Sequence, residues 1–215
     1  MKALRRLFSW GLEHEIIDAD PSRDVKRLRY VSSGHHSWTI EEVEQYESHY
    51  PVGSKARLAL ALLLYTGARR SDVVLLGPQH VKNGWIKFIA QKNRNRRPVT
   101  VELPMPAALA SIIEASVIGT ATFLVTEYGK PFTAAGFGGW FRTRCDAAGL
   151  AHCSAHGLRK AGAARAAENG ATAHELMAIF GWLSLKEAER YTTAAHRRHL
   201  SRNASALLAR KPDEA

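Results

Sequence analysis

The chain has 215 residues, enough to bury one good hydrophobic core or one full domain with a fragment of another. Its 30 Lys and Arg against 20 Asp and Glu give a formal charge of +10 and a pI near 9.9. That balance favours a polyanionic partner, nucleic acid foremost, because clustered cations release counterions condensed on a phosphate backbone. Two cysteines are too few for a disulfide framework, and no apolar run approaches the ~20 residues of a membrane span, so a cytoplasmic protein with no membrane partner is expected.

Leu4, Leu7, Phe8, Leu12 and Ile16 recur at helical spacing and predict a helix over residues 2–17, stopped before Asp20-Pro21 and lacking its packing partners. Ser22 to Trp38 is basic and polar, with Ser32-Ser33-Gly34, and reads as a linker or extended strap. The expected division is therefore a terminal helix and linker over 1–31 and a main domain over 32–215.

Thr39-Ile40-Glu41-Glu42 has the form of a capping box opening a helix to about Tyr50. Ser54 caps a second helix whose apolar run, Leu58 to Tyr65, is expected to be buried almost all round, with Gly67 suited to its left-handed exit. Arg69 then emerges from a rigid element. Trp85 to Ala90 and Val99 to Leu103 have strand composition and flank a basic hairpin tip with Lys92 at its shoulder. No Asp or Glu falls between Lys82 and Thr100, nor from Arg190 to Lys211.

Residues 106–117 and 134–148 read as helices, the second stopped by Gly149. Ser154 caps a helix carrying His156 and Arg159, which at i and i+3 share a face. Thr172 with Glu175 and Ser184 with Glu187 mark two short helices, with Gly181-Trp182 between them. Tyr191 is expected to close the second, and a last helix over about 194–210 holds Leu200, Leu207 and Leu208. The fold class is mainly α with a small antiparallel β-sheet (α+β).

Two arginines, a histidine and a late tyrosine suggest phosphodiester chemistry without a metal. A phenol titrates near ~10, so it attacks at neutral pH only where its proton can leave and cations hold the phosphate. His152-x-x-x-His156 with Cys153 has zinc-ligand spacing, but no fourth ligand is evident and the arginines already neutralise charge. No metal and no cofactor are expected. Gly136-x-Gly138-Gly139 lacks the strand and lysine of a phosphate loop and reads as a site of close helix packing.

Thr66-Gly67-Ala68-Arg69-Arg70-Ser71-Asp72, the hairpin with Lys92, His156-Gly157-Leu158-Arg159-Lys160, Gly181-Trp182 and Glu189-Arg190-Tyr191-Thr192 stand in the order found in tyrosine recombinases. Over residues 39–205 the chain resembles the catalytic domain of that family, the phage integrases. Residues 1–30 resemble only the end of its N-terminal core-binding domain.

The resemblance implies a site-specific DNA recombinase of a prophage or mobile element. In it Tyr191 attacks the scissile phosphate, forming a 3′-phosphotyrosyl bond and releasing a 5′-hydroxyl. Arg69 and Arg159 hold the non-bridging oxygens, and Lys92 protonates the leaving oxygen or serves as a plain phosphate contact. His156 bonds the phosphate or takes the tyrosine proton. Trp182 stands where the family more commonly has histidine; its indole N–H donates but cannot shuttle a proton. Asp72 orients these groups or is a plain helix-start acid. The implied partner is double-stranded DNA, with a tetramer on DNA, a monomer when free, and the C-terminal helix either docking between protomers or packing within its own. The alternatives are a DNA-binding remnant or regulator that no longer recombines, and a type IB topoisomerase sharing the chemistry.

Overall fold

A computed structural model of the chain describes residues 2–26, 34–92 and 94–205. The linker residues Ser32 and Ser33, the expected boundary at 31/32, and Leu207 and Leu208 lie outside the described residues. The chain groups into two compact units, residues 1–34 and 35–215.

In the first unit helix α1 spans Lys2–Glu13, shorter than the apolar spacing predicts. Glu15 takes a left-handed φ of 55°. The N–H of Glu15 donates to the Leu12 carbonyl at 3.1 Å and that of Ile16 to the Gly11 carbonyl at 2.9 Å, the two bonds that close a helix in a Schellman turn. Leu4, Leu7, Trp10, Leu12 and Ile16 are all exposed.

The second unit opens with α2 (Ile40–His49), whose capping box forms in full between Thr39 and Glu42. Helix α3 (Lys55–Thr66) is capped by Ser54 and buries Leu58 to Leu64, as its unbroken apolar run requires. It leaves through Gly67 at φ 59°, where a Cβ would lie 2.5 Å from the Phe180 ring, so both backbone and packing call for glycine. A short helix, α4 (Arg70–Val73), follows directly.

The sheet has three antiparallel strands, one more than the composition suggests: β1 (Val81–Lys82), β2 (Trp85–Ile89) and β3 (Thr100–Pro104), in that order. Asn83 and Gly84, with φ of 51° and 75°, join β1 to β2 in the Asn-Gly hairpin turn that matches strand twist. Between β2 and β3 the register pairs Lys87 with Glu102 and Ile89 with Thr100. Ile86, Phe88, Val101 and Leu103 face the core, and the basic tip projects beyond.

Five helices complete the described chain: α5 (Ala107–Glu114), α6 (Ala134–Ala147), α7 (Ala155–Glu168), α8 (Ala173–Phe180) and the long α9 (Leu185–Ser205). The break expected between Tyr191 and Ala194 is absent. α9 runs through without Gly or Pro, held by the buried Ala188 and Thr192 on the face turned toward α7 and α8. Tyr191 is thus inside a continuous helix rather than at the end of a short one. Gly138 packs against Arg70, whose guanidinium would lie 2.4 Å from a Cβ there, which explains the close approach of α6 and α4. Mainly α with a small antiparallel sheet, the fold class is the one the sequence predicts. Cys145 and Cys153 are free and buried, and among the described residues no helix is long and apolar enough to cross a membrane.

Candidate active site

Three predicted residues share one open groove of about 390 Å³: Arg69, His156 and Arg159 line it with His35, Arg70 and Arg142. No Asp or Glu is among its described lining residues. Such a surface raises the local concentration of an anion.

Arg159 is the most constrained of these groups. Only 6% exposed, it projects from α7 between the start of α4 and the end of α8. Its two terminal nitrogens donate to the carbonyls of Gly67 and Phe180, and its guanidinium lies 5.3 Å over the Phe180 ring and 5.6 Å over that of Trp182. Burial first and then the nearby Arg69 pull its pKa down to about 10, so it is still a cation at neutral pH, in surroundings that disfavour one. Among the described residues no carboxylate forms an ion pair with it. A buried cation fixed by carbonyls, with guanidinium N–H groups to spare, is a site prepared for an anion.

Arg69 sits at the N-cap of α4 and borders a second groove, of about 320 Å³, together with Lys92, Lys186, Glu187 and Arg190. Lys92 is exposed on the hairpin tip, so Arg69 is the wall common to both grooves. Asp72 makes that arrangement. Buried to 3% exposure, it accepts the N–H of Arg69 through Oδ2 at 3.1 Å and that of Gln91 through Oδ1 at 2.8 Å, tying the end of β2 to α4. Among the described residues it hydrogen-bonds neither His156 nor a guanidinium; its hold is on the backbone of Arg69 and of Gln91, next to Lys92. Asp72→Ala strands two amides, and urea unfolding is expected to show a loss of about 1–3 kcal/mol, with Asp72→Asn losing less.

His156 stands on the first turn of α7. Partial burial of its ring, then His35, Lys160, Arg159 and Arg69, hold its pKa below the usual histidine range, so it is neutral at pH 7 and available to accept a proton. Its ring lies 4.7 Å from that of His35. His35 comes from the strap, and no local pattern in the sequence marks it as a site residue. His156 does not join His152 and Cys153: α7 begins at Ala155, so the i, i+4 spacing of the histidines does not put them on one helical face.

Trp182 and Tyr191 lie deeper. Trp182, 9% exposed, is stacked between Phe180 (5.0 Å, 20°) and Tyr191 (5.4 Å, 9°). Gly181, at φ 57°, makes the turn that brings Trp182 there and packs on Val101 of β3. Burial raises the pKa of the Tyr191 phenol, against the attraction of Arg159 and Arg190. The hydroxyl is therefore protonated at rest and needs a base to act. Trp182 lines neither groove; its visible work is to hold the tyrosine ring on one face while its own ring lies beneath the Arg159 guanidinium.

The chain resembles a lambda integrase fragment, seen as a dimer bound to a COC′ core site, with a TM-score of 0.73 at 16% identity over 89% of this chain and 70% of that one. It spans 57% of a longer lambda integrase chain. The Tn1549 transposon integrase in complex with transposon right end DNA gives 0.66 at 18% identity over 94% and 77%. The XerH site-specific recombinase bound to palindromic difH substrate gives 0.66 at 18% over 97% and 66%. At such identities these likenesses carry the fold alone. No curated protein sequence matches the chain. The profile of the phage integrase family matches residues 40–198, most of the chain and all six predicted site residues, and the chain belongs to that family of DNA-breaking and DNA-rejoining tyrosine recombinases.

Proposed function

We propose that the chain is a site-specific recombinase that cuts and rejoins double-stranded DNA through a 3′-phosphotyrosyl bond to Tyr191. The observation that carries this reading is the buried Arg159 guanidinium, which faces a groove without acids, shared with Arg69 and His156, and lies over the ring on which Tyr191 stacks. The two arginines hold the non-bridging oxygens of the scissile phosphate with charge-assisted bonds. Tyr191 attacks phosphorus, its proton passing toward neutral His156, and Lys92 protonates the departing 5′-oxygen. Reversal by a 5′-hydroxyl restores the phosphodiester, so no cofactor or metal is required for the bond exchange.

Nicked duplexes of randomised sequence test this, because a nick lets the short cleaved strand diffuse away and traps the covalent intermediate. Denaturing capture is expected to recover DNA bound to the parent protein and none bound to Tyr191→Phe. Equal recovery from the two proteins would refute the assignment.

A pH profile tests the base. Since kcat/KM reports the free enzyme and His156 is held below its usual range, adduct formation at low DNA concentration stays level through neutrality. It falls only below the ordinary histidine range, as the ring takes a proton and ceases to accept one. His156→Gln is expected to lower the plateau by about 10²–10⁴-fold and remove that acid limb.

The assembly on DNA is proposed to be a tetramer, two duplexes requiring four active sites, with a monomer when free in the cytoplasm. The support is α9: Tyr191 and the exposed Leu200 lie on one continuous helix, so contacts made near its end are mechanically coupled to the nucleophile.

A further inference from the structure

Just ahead of the first turn of α7, the fold gathers four donors that the sequence scatters. Ligand atoms of His36, Glu42, His152 and Cys153 all lie within 4.8 Å of one another. Glu42 is the hub. Its Oε1 accepts from His152 Nε2 at 2.5 Å, and its Oε2 accepts from His36 Nε2 at 2.8 Å and from the Thr39 N–H at 2.8 Å. The two imidazoles meet edge to face, 4.9 Å apart. Burial works against ionisation of Glu42, but the bonds from His152, Thr39 and His36 prevail and hold its pKa down to about 2. Cys153 is fully buried, its thiol turned to the same carboxylate.

We propose that these four side chains form a tetrahedral zinc(II) site that pins the strap to the N-terminal end of α7. A zinc ion ~2.0–2.3 Å from each ligand sets them roughly 3.3–3.8 Å apart, so the histidine–carboxylate contacts open by about 0.5–1 Å and the widest separations close by about 1–1.5 Å or less. Thiolate and imidazole select a borderline-soft ion over magnesium or calcium. One thiolate and one carboxylate cancel the charge of a divalent cation, which suits a site with one wall fully buried. On binding, the thiol releases its proton. Each imidazole carries its N–H on Nδ1, freeing Nε2 to ligate. The Thr39 amide stays on Oε2 and orients the carboxylate while Oε1 ligates. All four positions are filled by protein, which marks a structural rather than a hydrolytic centre.

The placement links the site to the active groove. Cys153 precedes Ser154, the N-cap of α7, and His36 follows His35, the ring beside His156. The strap crosses α7 where Gly157 has no side chain: a Cβ there would lie 2.3 Å from the His36 carbonyl oxygen. Trp38 Nε1 donates to the Ser154 carbonyl at 2.9 Å and Lys160 Nζ to that of His35 at 2.6 Å. A metal at His36 and Cys153 fixes both ends of this crossing. It acts on the position of His156 and takes no part in cleavage, so metal binding stands whether or not the chain cuts DNA.

Cobalt(II) titration of the untagged, chelator-stripped full chain provides the test. One equivalent is expected to give the intense visible bands of tetrahedral cobalt with a near-ultraviolet thiolate band, both erased by one equivalent of zinc. Cys153→Ser loses the thiolate band, while Cys145→Ser keeps it. His36→Gln and His152→Gln change exposed side chains and leave folding intact by circular dichroism; each is expected to weaken cobalt binding roughly 100-fold or more, beyond what loss of an outer-shell partner does. Zinc raises the unfolding temperature of the parent and not of His36→Gln. Weak octahedral spectra in the parent, or a spectrum unchanged in the histidine variants, would overturn the site.

Discussion

Arg159→Lys is expected to lower the rate of covalent adduct formation by roughly 10²–10³-fold at saturating DNA, about 3–4 kcal/mol of transition-state stabilisation. Lysine keeps a positive charge but not the planar fork. In the parent that fork already spends two donors on the Gly67 and Phe180 carbonyls while its plane lies on Phe180 and Trp182. An ammonium on a flexible stem cannot hold both carbonyls and a phosphate, and burial favours its neutral form more readily than that of a guanidinium. Thermal unfolding is also expected to drop, because two carbonyls lose charge-assisted partners. Arg69→Lys separates the two effects. Arg69 lies at the groove rim, so its replacement is expected to slow cleavage with little change in unfolding. If Arg159→Lys stays within threefold of the parent rate while losing stability, the residue is a strut and the phosphate clamp lies elsewhere.

Trp182→Ala is expected to cost about 3–5 kcal/mol of stability, the range for truncating a buried large aromatic residue. Its ring is the middle of a three-ring stack, so its loss frees Phe180 on one side and Tyr191 on the other. Adduct formation falls with it, since Tyr191 is then no longer held in one orientation. Trp182→Phe restores a ring without an N–H. If Trp182 acts by holding Tyr191, the phenylalanine variant recovers stability and keeps its rate within about tenfold of the parent. The comparison uses single-turnover rates well below each variant's unfolding midpoint. A phenylalanine variant as slow as the alanine one would instead make the indole N–H a direct phosphate donor.

Local signals in the chain are legible where the physics is local. The Thr39 and Thr172 capping boxes, the left-handed exit at Gly67 and the all-round burial of α3 follow from residues within a turn or two of one another. The Asn83-Gly84 turn adds a third strand that composition alone passes over, because a two-residue strand has no periodicity of its own. α1 ends before its apolar spacing does, because a spacing that continues to Ile16 says nothing of a Glu15 in the left-handed region. α9 has no breaker residue between Tyr191 and Ala194, and its continuity rests on side chains that contact α7 and α8, earlier in the sequence.

By itself the sequence determined the fold class and the order of the family's motifs, and it proposed six residues for exchanging a phosphodiester, since helix caps, strand composition and motif spacing are short-range properties. Tertiary structure alone decided how those residues stand to one another. Asp72 clamps backbone on two elements 19 residues apart; Trp182 supports a ring rather than lining a groove; and Arg159 is buried with carbonyls for partners. The same is true of the four donors around Glu42: His152 lies 110 residues along the chain from the carboxylate it meets. No pattern within a window can announce such a meeting, because packing chooses it and covalent neighbourhood does not.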